Sequence, residues 1–325
     1  MRVVLAVLQV VAAALWAAGP APAFAQAYPS KPIRMVVPFP PGGPADIFGR
    51  HLAQGMAAHL GQPIPIENVS GVGGVVGVDR VAKSPPDGYT LVLNSASPLA
   101  ISPFALSRMP FNPLRDLTLI TTVVRVPEVL AVHPSVPAQT LADLVAYAKA
   151  RPGRINFGSS GPGTITHLAG ELLKAEAGLD LVHVPYKGAA PAVADLLAGQ
   201  IQFCILDVPV LLPHIRAGKL RAIAVSSPRR APSLPEVPTT AEGGYAGVVS
   251  DNWYGLAGPA GLPPVIVRRL HAAAVAALGS EELAEQYGRV SGIPMPSSPE
   301  EYAAFLVQEQ KKWGGVVRAV GFKAE

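Results

Sequence analysis

The chain has 325 residues, half of them hydrophobic, with 26 Lys and Arg against 22 Asp and Glu, seven His and one cysteine. A net charge of +4 excludes the basic footprint of a nucleic-acid binder. The lone Cys204 excludes an internal disulfide, and no HExxH or CxxC spacing gathers a metal-ligand cluster, so neither metal nor cofactor is expected.

In chain order, Arg2, the apolar run over 3–18 and the Ala23-Phe24-Ala25 end read as an export signal cleaved after Ala25. The run is shorter than the roughly 20 residues of a spanning helix, and Gly19, Pro20 and Pro22 follow it. Removing 1–25 leaves 300 residues with 25 basic and 22 acidic side chains, a formal charge of +3. A soluble, exported, periplasmic protein is expected, long enough for one large or two medium domains.

From Ile33 onward, strand-like and helical runs alternate. IRMVVPF precedes helix 44–60. IPIENV precedes a Gly-rich turn and helix 75–83, and YTLVLNS precedes a helical stretch over 98–107. This rhythm is βαβ and calls for a mostly parallel sheet. A second series follows: LTLITTVVRV and VLAVHP, helix 140–151, INFGSS, helix 164–178, LVHVPY, helix 188–199, IQFCILDV, helix 209–218 and LRAIAVSS. After Ser227 come the proline- and glycine-rich RRAPSLPEVPTTAEGGYAG, then WYGLAGPAG, and helices over 263–279, 280–288 and 298–319. These last helices have no strands of their own to cover, so the chain must return to a sheet already made. Crossovers near 123–128 and 246–252 give an α/β clamshell of two lobes, each a mostly parallel sheet flanked by helices, with the ligand in the cleft. The expected lobes are 26–125 with 250–325, and 126–249.

Two strand-to-helix turns carry the clearest chemistry. In PFPPGGPAD, Gly42 and Gly43 let backbone approach a ligand closely, and Pro44 starts a helix whose first free N–H groups favour an anion. Asp46, in the first turn, suits either helix capping or a ligand contact. NFGSSGPGTITHL repeats the device with Ser159, Ser160, Gly161, Gly163 and Thr164, and His167 one turn on is either a core or capping histidine or a ligand contact. Lys187 follows a strand and either pairs a carboxylate or stays solvated. Asp207, ending FCILD at the C-terminal end of a strand, is expected to face the cleft and accept from an amino or hydroxyl group. Cys204 lies in the same apolar run and reads as a buried, inert thiol. GVGGVV places Val76 where a dinucleotide fingerprint needs its third glycine, and no GxSxG occurs. The rival to a binding module is an exported hydrolase acting on a carboxylic acid derivative, with Ser160, His167 and Asp207 as its chemistry.

The stretches YPSKPIRMVVPFPPGGPAD, ENVSGVGGVVGVDRVAKSPPDGYTL, YAKARPGRINFGSSGPGTITHLAGELL, VPYKGAAPAVADLLAGQIQ, LPHIRAGKLRAIAVSSPRRAPSLPEVPTTAEGG and WYGLAGPAGLPPVIVRRL together resemble the extracytoplasmic solute receptors of tripartite tricarboxylate transporters, the Bug-type receptors. They cover nearly all of the chain after the export signal. The resemblance implies a hinged periplasmic binding protein that is not an enzyme and presents a small carboxylate solute to membrane permease subunits or a sensor. It implies that backbone N–H groups and ordered waters at two turns hold a ligand carboxylate. By motif these are Pro41, Gly42, Gly43, Ala45 and Asp46 on one lobe, and Ser159, Ser160, Gly161 and Thr164 with His167 behind on the other. The loop after YTLVLNS, with Ser95 and Ser97, is implied to line the same cleft. Family members often carry an aromatic before the acid matching Asp207; Leu206 stands here, which leaves the distal pocket and the solute open. The fold needs no partner to bury its core, so a monomer is expected.

Overall fold

The computed structural model describes residues 28–323, so the expected export signal lies outside the described residues. In chain order the elements are β1 (Arg34–Val37), α1 (Pro44–Leu60), β2 (Ile66–Asn68), α2 (Val75–Ala82), β3 (Thr90–Ser95), α3 (Ser102–Ala105), β4 (Leu117–Val132), α4 (Leu141–Lys149), β5 (Asn156–Ser159), α5 (Ile165–Ala177), β6 (Val182–Pro185), α6 (Ala189–Leu197), β7 (Phe203–Asp207), α7 (Val208–Arg216), β8 (Arg221–Val225), β9 (Asp251–Pro259), α8 (Pro264–Leu278), α9 (Glu281–Gly288), β10 (Ile293–Pro294) and α10 (Pro299–Ala319). The alternation read from the sequence is therefore present. The stretch expected to be helical over 98–107 is helical in the structure, a π-helix over Ser97–Ile101 running into the short α3.

Hydrogen bonds join the strands in the order β2-β1-β3-β9-β4-β7-β5-β6, with β8 and β10 also paired to β4. The fold is two-lobed. In the first lobe β1 runs parallel to β2 and β3; in the second β5 runs parallel to β6 and β7. Antiparallel β4 and β9 lie between the two parallel sets. The parallel parts come from βαβ crossovers, and the antiparallel parts are where the chain passes between lobes.

β4 makes that passage as one strand of 16 residues, where the sequence reads as two runs interrupted at Pro127. Leu117–Pro127 pairs with β9, whereas Glu128–Val132 pairs with β7. Pro127 has no N–H to give, and it falls next to the change of partner, so the breaker does not break the strand. Among the apolar clusters of the described residues, one centres on Leu99, Trp253, Tyr302 and Trp313, and two others cover the two faces of the second-lobe sheet, around Phe157 and around Leu206. The final helix is pinned to the first lobe by polar bonds inside the apolar contact. Tyr302 donates to Asn94 at 2.7 Å and the Trp253 indole donates to Glu309 at 2.9 Å, a carboxylate that also accepts from Trp313 of the same helix at 3.0 Å. Gly255 leaves the space that the Tyr302 hydroxyl fills.

At the start of the second half of β4, Glu128 is fully buried, opposite Asp207 of β7. Neither carboxyl oxygen of Glu128 has a hydrogen-bond partner among the described residues, and the nearby Ser250 hydroxyl donates to Ser226. Burial pushes the Glu128 carboxyl well above the usual range, and the Asp207 charge adds to it. Glu128 is thus protonated in the fold but releases its proton on unfolding once the pH exceeds about 4.5. Folding then takes up a proton, so this residue's contribution to stability falls as pH rises above 4.5 until the native carboxyl itself ionises. Glu128→Gln removes the dependence. The difference in unfolding free energy, variant minus parent, is expected to grow with pH by up to about 1.4 kcal/mol per unit over that window. Denaturant melts at pH 5 and pH 8 measure it, and an unchanged difference would show that native Glu128 is ionised.

Candidate functional site

Helix starts determine where the polar backbone of this protein points. α4, α9 and α10 are capped by the side chains of Thr140, Ser280 and Ser298. α1, α5 and α6 begin at Gly43, Thr164 and Gly188 with no side-chain cap. An uncapped helix start leaves N–H groups directed outward at the positive end of the helix dipole.

These three starts meet at one cavity. Its walls come from Phe39, Pro40, Pro41, Gly43, Pro44 and Ala45 on the β1–α1 turn, Ser97 after β3, Ser160, Ile165 and Thr166 around the start of α5, and Gly188–Ala190 at the start of α6. Leu206 and Asp207 on β7 and Asn252 and Tyr254 on β9 complete them. The cavity holds about 490 Å³ of empty space, its solvent-open part included. The N–H groups of Gly43, Ala45, Ala189 and Ala190 have no acceptor among the described residues. The Ile165 N–H donates to Ser97 at 3.1 Å, so a first-lobe hydroxyl caps a second-lobe helix. Gly188, at φ +116°, lies so close to Pro40 of the first lobe that a Cβ there would come within 2.8 Å of the proline ring.

The motif residues divide into those that face the cavity and those that shape it. Pro41, Gly43, Ala45, Ser97, Ser160 and Asp207 line it. Gly161 and Lys187 line an adjoining depression together with Ser70–Gly74 and Tyr186. Asp46 turns inward and builds the turn: its oxygens accept from the Gly42 N–H at 3.0 Å, twice from Arg50 at 2.9 Å and from Asn68 at 3.0 Å. Burial works against the Asp46 charge, but these donors outweigh it and hold the carboxyl below its ordinary value. Ser95 is buried, with no hydrogen-bond partner for its hydroxyl among the described residues.

His167 sits behind the second turn. Its Nδ1 accepts from the Gly163 N–H at 3.2 Å, its ring stacks on His183 at 3.9 Å between centroids, and Phe322 meets it edge-on. Burial first, then the neighbouring His183, pushes it down to about 3, so it is neutral. Ser159 is fully buried and bonded to His183 at 2.7 Å, and Thr164 donates to the Gly161 carbonyl at 2.7 Å. These residues hold the turn in shape without lining the cavity. Cys204 is fully buried, with its thiol pushed up to about 12.

Several lining residues escaped the sequence reading. Thr166 accepts from the Ser160 N–H at 2.9 Å and sits two residues beyond Thr164, within the same helix start. Asn252 and Tyr254 are alternate residues of β9 and so share a face; both donate to Asp207, Tyr254 at 2.5 Å and Asn252 at 3.1 Å. The α6 start was readable in principle, since YKGAAP has the same strand–glycine–helix grammar as the first turn.

Comparison with known proteins agrees with this arrangement. Residues 48–322 match the family model described as the tripartite tricarboxylate transporter family receptor. Protein BugT of Bordetella pertussis is 40% identical over 304 residues, covering 93% of either chain. Among solved structures, R. palustris Rpa4515 with adipate superposes with a TM-score of 0.89 at 33% identity, over 91% of this chain and 99% of that one. MatC from Rhodopseudomonas palustris with bound malate gives 0.85 at 30%, over 89% and 100%. The chain belongs to the tripartite tricarboxylate transporter receptor family, whose members are periplasmic solute-binding proteins.

Proposed function

We propose that this protein is a periplasmic receptor that captures a small carboxylate solute between its lobes and delivers it, unaltered, to permease subunits of a tripartite transporter or to a sensor. The observation that carries the reading is the convergence of uncapped helix starts from both lobes on one cavity without a basic side chain among its described lining. A carboxylate is the ligand such N–H groups favour. We place it against the N–H groups of Gly43 and Ala45 on one side and of Ala189 and Ala190 on the other, with Ser97, Ser160 and Thr166 beside it. The adipate and malate held by the two relatives support the class of solute.

The lobes are 26–125 with 250–325, and 126–249. The change of β4 partner between Pro127 and Glu128 and the start of β9 at Asp251 support this division. Export by a cleaved leader accords with the periplasmic family, and no described helix is long and apolar enough to cross a membrane. The hydrolase reading draws no support from the geometry. The Ser160 hydroxyl bonds Thr166 at 2.8 Å, and the Ser–His pairs among the described residues, Ser159 with His183 and Ser135 with His133, are set away from the cavity lining.

Two outcomes are expected. A bound carboxylate at about 100 times its dissociation constant raises the unfolding free energy by roughly 2.7 kcal/mol and is recovered chemically unchanged, which calorimetry and NMR of the filtrate test. Turnover of the solute would refute a receptor. At Gly43 the backbone is extended and a Cβ would make only ordinary contact with the Pro40 carbonyl, so the fold accepts a side chain there. Gly43→Val is therefore expected to weaken solute binding by about a hundredfold or more while costing the ligand-free protein less than about 1 kcal/mol. Titration calorimetry beside thermal melts reads both, and a parallel loss of stability and affinity would show that Gly43 serves the fold.

A further inference from the structure

The starts of α1, α5 and α6 lend the cavity positive potential, while Asp207, itself the residue before α7, is the sole charged side chain among the described residues lining it. The donors that reach Asp207, the Tyr254 hydroxyl and the Asn252 amide, are neutral. Directly opposite on β4 lies Glu128, buried and without a hydrogen-bond partner. Arg125 and Lys312 pair with Asp251, at 3.4 and 3.8 Å, and the Lys312 charge acts on Glu128 only as its smallest influence. Asp207 on the cavity wall and Glu128 beside it therefore have no ion-paired cation among the described residues.

A buried pair of this kind does not ionise at both members at neutral pH. Glu128, raised the more strongly, takes the proton, and Asp207, raised to about 6 by burial and eased by Tyr254 and Asn252, carries the charge. A carboxylate offers about four acceptor sites, and the recorded contacts occupy three. A second carboxylate arriving here would meet a like charge in a water-poor setting, whereas a cationic donor would complete the pair.

We propose that Asp207 selects the second polar end of the solute by accepting hydrogen bonds from an ammonium group, so that the preferred solute is a small amino acid with its carboxylate on the helix starts. The proposal rests on the receptor reading above. Since two relatives hold dicarboxylates, the test sets each dicarboxylate against its amino counterpart. The purified chain is titrated with unbranched acids of propionate to hexanoate length bearing a terminal methyl, hydroxyl, ammonium or carboxylate group, together with the matching α-amino acids.

At the best length, the amino member is expected to bind about tenfold or more tighter than the dicarboxylate, with the hydroxy acid between them. Asp207→Asn is expected to abolish or reverse that order. Glu128→Gln, isosteric and already neutral, is expected to preserve it. A dicarboxylate leading in the parent protein overturns the proposal while leaving the receptor reading intact. An unchanged order in Asp207→Asn, or a lost order in Glu128→Gln, likewise overturns the assignment to Asp207. If no member of the series binds at millimolar concentration, the carboxylate receptor reading falls, and this proposal falls with it.

Discussion

The cavity must attract an anion without presenting a cation, and that constraint orders much of the surrounding structure. Partial charges at helix starts do not move, do not titrate, and act within about one turn of the helix end. They serve only if the helices are aimed at a common point and their first N–H groups are left unspent. Both conditions fall on the connecting turns. Asp46, held by Arg50 and Asn68, braces the first turn from behind, and the Ser160–Thr164–Thr166 hydroxyls brace the second. Polar side chains that look like ligand contacts in the motif are largely the scaffolding that keeps backbone groups free.

The crossing strands give this arrangement its mechanical frame. β4 belongs to the sheets of both lobes, and β9 enters the first lobe beside it, so on the lobe division proposed above a change of lobe angle is absorbed near Pro127 and Asp251. Glu128 sits at that point. A neutral carboxyl without a partner costs stability wherever it is buried, and its retention beside Asp207 links the mechanical junction to the charged end of the cavity. Contacts between the lobes include small groups, Gly188 against Pro40 and Ser97 on the Ile165 N–H, and the Phe322 ring edge-on to His167. Bulk at either small-group contact would hold the lobes apart.

How far the sequence revealed this depended on the range of the interaction. The βαβ alternation and both glycine turns were legible because strand period, helix period and turn chemistry are local. Pro127 was read as an interruption because its compatibility with a continuous strand depends on where pairing partners change, which no local pattern records. Asp46 and His167 sit inside recognisable motifs, yet their roles depend on Arg50, Asn68, His183 and Phe322, all of which lie outside those two motifs. Asn252 and Tyr254 reach Asp207 from 45 and 47 residues away along the chain, a pairing that only the return through β9 creates. Shape-setting residues and cavity-lining residues share one local vocabulary, and only tertiary packing separates them.

Cys204 is the second residue of β7, three residues before Asp207, sealed from solvent and held in its protonated form by burial. Thiol reagents attack thiolate, so the native chain offers them almost nothing. Any labelling must pass through openings that lift the second-lobe sheet apart, and its rate becomes a clock for that event alone. The chain thus contains a single internal timer of its rarest fluctuation, set beside the cavity floor, with no second cysteine to blur the reading.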